Sequence, residues 1–237
     1  MRLRTVFAAL ALVSSVAPAQ AEAPVRSVVL SPEVGADVIS LLEAADLRVT
    51  TIVSASNTLE AAVAAARRVL GLQDGPSVLV ARGWDGAVAS EIGGEANVAA
   101  LVFVAAQAPE IGEAFSALTE RFPLKTEAAP LSGKTTAAAW RGRPVFYAVS
   151  EQDPVMSAEL QRFYAARMNA KTIVLDDVAL HPREIAGLIL EAAGMKPAAC
   201  GSEGDDGVAA CAAKALPRSL MKGCKCERGS LEDLTSP

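Results

Sequence analysis

The chain of 237 residues carries 22 Lys and Arg against 27 Asp and Glu, for a formal net charge of −5. This acidic balance argues against nucleic acid as a partner, because the phosphate backbone requires a basic face. Hydrophobic residues make up 51% of the chain, although only 4% is aromatic. Apolar sequence of this kind, rich in Ala and Val, is typical of a parallel sheet that helices cover on both faces.

The N-terminal segment 1–21 has the three parts of a secretory signal peptide. Arg2 and Arg4 form a positive region, an apolar run follows over 6–13, and residues 19–21 match an A-x-A cleavage site. The apolar run is too short to span a bilayer. We therefore predict an exported protein, periplasmic or secreted, with no membrane span after signal cleavage.

Beyond this segment, apolar runs rich in β-formers alternate with segments of helical spacing. We predict strands over 25–30, 48–53, 76–80, 97–106, 144–149 and 171–175. We predict helices over 35–45, 59–70, 86–93, 159–168 and 182–193. Strands that alternate with helices of this length imply right-handed crossovers. The expected fold class is α/β, with a doubly wound, mostly parallel sheet in one domain over 22–196.

All the cysteines fall in the last segment, 197–237, at Cys200, Cys211, Cys224 and Cys226. An even count in an exported chain favours disulfides, and four cysteines allow three pairings. A bond between Cys224 and Cys226 would close a very small ring, so we expect each to pair with Cys200 or Cys211. A four-thiolate metal site is the alternative, although the paired C-x2-C spacing of common zinc sites is absent. We predict a Cys-rich appendage tied by disulfides, with no metal and no cofactor.

Two stretches match one known group of enzymes in the order of their segments and in their local sequence. The first runs from the strand 76–80 through A-R-G-W-D at 81–85 and the strand 97–106 to A-P-E-I-G-E at 108–113. The second runs from the strand 144–149 through E-Q-D at 151–153 to the helix that begins at Glu159. Together they resemble the α/β-hydrolases of the methylesterase and hydroxynitrile-lyase type, over about residues 27–193. The resemblance implies acyl transfer or a related reaction at a carbonyl, with a nucleophilic Ser, a His base, an acid and an oxyanion hole.

The nucleophile position of the family's G-x-S-x-G turn falls on Gly83, which has no side chain to attack a substrate. Glycine relieves the strained backbone of such a turn, and Asp85 is expected to cap the helix that follows. The family's acid position matches Asp153, where a carboxylate also suits a turn before Pro154. We interpret Gly83 and Asp85 as parts of a structural turn. Gly83 and Asp153 mark the positions of a vestigial active site.

The base and the oxyanion hole also depart from the family's pattern. His181 is the single His of the chain and best matches the His-Pro that starts the closing helix in the family, although a rearranged loop would bring it inward. The loop after the first strand reads Ser31-Pro32-Glu33, where Pro32 lacks an N–H donor and Glu33 adds negative charge. The segment between 113 and 144 has only about thirty residues, which implies a reduced cap.

These departures lead to one main hypothesis and two alternatives. The main hypothesis is an exported pseudo-hydrolase that acts as a binding or interaction module for an unknown small molecule or protein. The first alternative is a carboxylic-ester hydrolase or related lyase of altered mechanism that uses His181 with Asp153. The second places the function in the Cys-rich tail, through redox exchange or metal binding.

Overall fold

A computed structural model of the chain describes residues 24–53, 57–113, 118, 121–126 and 131–195. The predicted signal peptide, its cleavage site and the Cys-rich segment with its predicted disulfides lie outside these residues. So does much of the segment between 113 and 131, and the reduced cap therefore stays a prediction.

The described residues form one sheet of six parallel strands in the order β2-β1-β3-β4-β5-β6. The strands are β1 (Ser27–Leu30), β2 (Arg48–Thr51), β3 (Ser77–Gly83), β4 (Val98–Ala106), β5 (Val145–Ser150) and β6 (Lys171–Leu175). The chain adds strands first to one side of β1 and then to the other. The predicted doubly wound parallel sheet is confirmed.

The helices are α1 (Ala36–Glu43), α2 (Leu59–Gly71), α3 (Gly86–Ile92), α4 (Ala158–Arg167) and α5 (Pro182–Ala192). The side chain of Thr58 accepts a hydrogen bond from the main chain at the start of α2, and Ser157 does the same for α4. Pro182 opens α5 at a position where its missing N–H costs nothing. No helix in this described part of the chain is both long and apolar enough to cross a membrane.

Three short 3-10 helices were not predicted, at Pro32–Val34, Ala139–Gly142 and Val178–Leu180. Each is only 3 or 4 residues long, which is too short to show a hydrophobic period in the sequence. The first of them matters most for the site, because it directly follows β1 and places Glu33 at the carboxyl edge of the sheet.

Helices cover both faces of the sheet, and the strand residues alternate between the two cores. Leu79 and Ala81 of β3 pack on the side of α2, α3 and α4. Val78 and Val80 of the same strand pack on the side of α1 and α5. Burial of both faces accounts for the nearly continuous apolar sequence of the central strands.

β3 is longer than the sequence predicted, and this changes where the turn lies. We predicted that the strand ends at residue 80, whereas it continues to Gly83 because residues 81–83 pair with β4. The polar side chain of Arg82 hid this continuation in the sequence. Only Trp84 and Asp85 remain between the strand and α3.

Candidate functional site

The strand order reverses between β1 and β3, because one connection leads from β1 outward to β2 and the other strands lie beyond β3. In open α/β sheets, ligands bind beyond the carboxyl ends of the strands at such a reversal. Residues 31–33 follow β1 at this edge, and residues 84 and 85 follow β3. The segments singled out in the sequence therefore meet at the position where this architecture places ligand sites.

The turn after β3 depends on two glycines with different roles. Gly83 has a φ of 56°, a left-handed conformation that glycine adopts without steric cost. Gly86 begins α3 at a close approach, since a Cβ there would lie 1.8 Å from the carbonyl oxygen of Gln107. The main chain of Gln107 also donates to the carbonyl of Gly83 over 3.0 Å, and its side chain donates to the carbonyl of Trp84 over 2.9 Å. The turn is thus fastened to the end of β4.

The side chain of Glu33 lies over Gly83. A Cβ built on Gly83 would be 3.2 Å from Oε2 of Glu33, so a larger residue at position 83 would press against this carboxylate. The segment that carries Glu33 is held in place by Arg82, whose Nη1 donates to the main-chain oxygen of Glu33 over 2.7 Å. Ser31 adds a second tie, because its Oγ accepts from the N–H of Arg82 over 3.0 Å.

Asp85 does not cap α3, and the expectation that it does is wrong. Its side chain makes no capping hydrogen bond, and its φ and ψ of −67° and −9° are helical. A capping residue needs an extended backbone to turn its side chain back onto the first N–H groups of the helix, which explains the failure. The carboxylate of Asp85 is instead hydrogen-bonded by the side chain of Ser31.

The surroundings of Asp85 disfavour its charged form. Burial, and to a smaller extent the neighbouring carboxylate of Glu33, raises the pKa of Asp85 from 3.8 to about 6, against the opposing effect of the Ser31 hydrogen bond. The carboxylates of Glu33 and Asp85 therefore lie close together, and partial burial makes the charged form of Asp85 energetically unfavourable.

These two carboxylates have no basic partner in the described residues. No Lys, Arg or His there forms an ion pair with Glu33 or Asp85. The guanidinium of Arg82 bonds the main-chain oxygen of Glu33 rather than its carboxylate. The undescribed internal segments 54–56 and 127–130, and those between 113 and 121, contain no basic residue. Among the described residues, therefore, no ion pair neutralises the negative charge at this edge.

Two cavities adjoin at Glu33, which lines both. The first, here called the Asp85 cavity, has a volume of ≈ 310 Å³ and contains the side chains of Glu33 and Asp85 in its wall. The second, here called the Gly83 cavity, has a volume of ≈ 370 Å³ and is lined by Gly83, Trp84 and Asp153 among others. Both volumes are near the lower end of those that hold small ligands, ~300–1,000 Å³.

Asp153 lies beside the Gly83 cavity, but its carboxylate serves its own loop. Its Oδ1 accepts from the N–H groups of Val155 and Met156, at 2.9 and 2.7 Å. The side chain amide of Gln161, which is buried, donates to the main chain of Met156 and makes two further bonds to Ser150 at the end of β5. These bonds are typical of a turn carboxylate on a braced loop.

His181 bonds to a different set of residues at the start of α5. Its Nε2 lies 2.5 Å from Oδ1 of Asp176, and its Nδ1 lies 3.6 Å from Glu184. The hydrogen bond with Asp176 raises the pKa of His181, which is partly exposed. Neither cavity has His181 in its wall. The structure thus brings Gly83 and Asp153 to one cavity and places His181 apart from it.

Within residues 24–195 as described, no group of three or more His, Cys, Asp or Glu side chains is placed to hold a metal ion. The cysteines of the predicted disulfides fall outside that part of the chain.

The fold is that of the α/β-hydrolases. A pyrethroid hydrolase from Sphingobium faniae superposes with a TM-score of 0.58 at 16% identity, over 72% of this chain and 98% of that one. Polyneuridine aldehyde esterase gives a TM-score of 0.57 at 15% identity, over 70% and 98%. An extracellular α/β-hydrolase from a Paenibacillus species gives 0.56 at 14%, over 71% and 99%.

At these identities the likeness concerns the fold and not the activity. No protein-family model matches the chain. No curated protein matches it either. The chemistry of this chain has to be inferred from its own residues.

Proposed function

We propose that this protein is an exported pseudo-hydrolase, a binding or interaction module that does not hydrolyse esters. The observation that carries the proposal is the Glu33 carboxylate over Gly83, 3.2 Å from where a side chain would begin. In the enzymes that the sequence resembles, a nucleophile occupies this turn. Here the turn has no nucleophile, and a negative charge lies above it.

The charge at this position also opposes the transition state of acyl transfer. Hydrolysis of an ester passes through an oxyanion, which N–H donors must stabilise. Pro32 has no N–H to offer, and Glu33 and Asp85 would repel the oxyanion. Loss of one such donor typically costs about 10²–10³ in rate, so the combined change favours binding over catalysis.

The alternative enzyme of altered mechanism needs Asp153 to orient His181. The carboxylate of Asp153 accepts from the main chain of its own loop, while His181 pairs with Asp176. No contact among the described residues favours this alternative, and we retain the binding module as the proposed function.

The test is covalent labelling of the purified protein with a fluorophosphonate, together with turnover of a panel of aryl and methyl esters. We expect neither labelling nor turnover, with a known serine esterase as the positive control. Gly83→Ser should not recover activity, because the new side chain meets Glu33 and the donors are still missing. Labelling that disappears when one Ser is changed would refute the proposal.

Export and the disulfides need separate tests. N-terminal sequencing of protein recovered from the periplasm or the medium should start at Glu22 if the signal peptide is cleaved where we predict. Counting thiols on the same sample should find none free if the four cysteines form a structural appendage. Free thiols would instead favour a redox or metal-binding role for the tail.

A further inference from the structure

We infer that the Asp85 cavity binds a small organic cation, a primary ammonium group carried on an apolar body. This inference rests on the proposed function and names the ligand class of the site. The ammonium group would lie between the carboxylates of Glu33 and Asp85, and the apolar body along the opposite wall of the cavity.

The charge of the cavity sets the sign of its ligand. Glu33 and Asp85 both line it, and neither has a basic partner among the described residues. A recess walled by charges of one sign concentrates ions of the opposite sign, and more strongly when low-dielectric walls surround it. A cation that entered would relieve the repulsion between the two carboxylates.

The other residues of the cavity wall indicate the chemistry of the uncharged part of the ligand. Besides the two acids, the polar side chains that line the cavity are those of Ser31 and Asn57, and the hydroxyl of Ser31 already bonds Arg82 and Asp85. The other residues that line the cavity are apolar: Pro32, Ile52, Ala62, Leu79, Val80, Ala81, Val88, Ala89 and Leu131. An alkyl group suits such a wall, because burial of apolar surface is favourable. A bare metal ion would leave the wall unused.

The partial burial of Asp85 gives a further reason to assign this charge to binding. A buried carboxylate without a basic partner destabilises the folded state. Asp85 makes no capping bond, and the hydrogen bond from Ser31 offsets only part of this cost. Residues that weaken the fold and lie in a recess are characteristic of binding sites.

The experiment is calorimetric titration of the purified chain at pH 7.5 with n-hexylamine, which is protonated at this pH. The matched probes are 1-hexanol, sodium hexanoate and calcium chloride. We expect one molecule of hexylammonium per chain, bound at least about tenfold more tightly than hexanol, since a charge-assisted hydrogen bond is the difference. Hexanoate should be the weakest of the organic probes.

Variants locate the binding. Glu33→Gln and Asp85→Asn should each weaken hexylammonium about tenfold and leave hexanol unchanged, because they remove charge and keep shape. Glu60→Gln is the matched control on an exposed carboxylate of α2, and its affinities should equal those of the parent. Thermal unfolding of each variant verifies that it is folded.

Three results would overturn the inference: equal or tighter binding of hexanol or hexanoate, tighter binding of calcium than of hexylammonium, or no binding of hexylammonium at all. Unchanged affinity in both acidic variants would overturn it as well. None of these results bears on catalysis, so the inference fails separately from the proposed function, which fails only on labelling or turnover.

Discussion

Asp85 and Asp153 are carboxylates at the same edge of the same sheet, each in the connection that follows a strand. Oδ1 of Asp153 accepts hydrogen bonds from two main-chain N–H groups, and the amide of Gln161 donates to the main chain of the same loop. Asp85 makes no capping bond, lies close to a second carboxylate, and has a pKa raised to about 6. One carboxylate stabilises its own turn and the other destabilises it.

The contrast separates structural from functional acids better than sequence position does. The resemblance to the hydrolases pointed to Asp153 as part of a vestigial site, and the position of Asp85 before a helix predicted a helix cap. The contacts favour a structural role for Asp153, because its carboxylate oxygen accepts hydrogen bonds within its own loop. Asp85, at the position of the second glycine of the G-x-S-x-G motif, makes no capping bond, and its carboxylate is the one that we propose for a ligand.

The largest expected effect comes from breaking the turn that carries Asp85. Gly86→Ala places a Cβ against the carbonyl oxygen of Gln107, a main-chain group that cannot rotate away. We expect a loss of about 4 kcal/mol or more in the free energy of unfolding, measured by urea denaturation. Gly187→Ala in α5 is the control, since nothing lies within 4 Å of its added Cβ, and it should gain about 1 kcal/mol. A Gly86→Ala protein as stable as the parent would contradict the close approach.

Removing the satisfied carboxylate should have the next largest effect. Asp153→Ala leaves the N–H groups of Val155 and Met156 without their acceptor in a buried turn, and we expect a loss of about 3 kcal/mol in urea denaturation. Asp153→Asn keeps an acceptor oxygen and should lose only about 1 kcal/mol. Asp177→Ala removes a similar hydrogen bond in a less buried turn, and its loss of stability is the reference for a partly exposed bond. If Asp153→Ala were neutral, the structural assignment of this acid would be wrong.

Removing the unsatisfied carboxylate should have the opposite sign. A pKa raised from 3.8 to about 6 corresponds to about 3 kcal/mol, which we reduce to about 2 kcal/mol because Asp85 is only partly buried. Since the folded state holds the proton more tightly, the penalty is complete above about pH 6 and declines as the pH falls towards 4. Asp85→Asn should therefore be more stable than the parent at pH 7.5, with a gain that vanishes near pH 4. Thermal unfolding across this range measures it, and a gain independent of pH would exclude charge as the cause.

The smallest effect is expected at His181, and it has the opposite pH dependence. Because its hydrogen bond with Asp176 raises its pKa above 6.5, the stabilising contribution is present below that pH and is lost as the pH rises through the raised pKa. His181→Gln should thus be slightly less stable than the parent at pH 5.5 and equal to it at pH 9. Thermal unfolding at the two pH values tests this, and a loss of ester turnover in the variant would revive the enzyme hypothesis.

Most of the fold could be predicted from the sequence, because the buried strands are nearly continuous apolar runs and the amphipathic helices carry a hydrophobic period. The end of β3 was missed because Arg82 is polar, although its main chain still pairs with β4. The capping role of Asp85 was predicted from residue type and position alone. It failed because capping depends on backbone angles, and those at Asp85 are helical.

The most informative contact of the site could not be predicted. Glu33 was recognised as an unfavourable charge in the loop after β1, but its place over Gly83 depends on the lateral pairing of β1 with β3. That pairing brings together residues fifty positions apart, such as Ser27 and Ser77, whose hydroxyls hydrogen-bond over 2.6 Å. No local pattern in the sequence encodes such a register.

The close approach at Gly86 also constrains any related sequence that keeps this turn. Gly83 needs glycine for its backbone angle, which Asn or Asp would also tolerate at a modest cost. Gly86 needs it because the main chain of Gln107 leaves no volume for a methyl group. Related sequences that keep this turn should therefore retain a glycine at the start of α3 even where the residue at position 83 has changed. A search for them is better anchored on position 86 than on position 83.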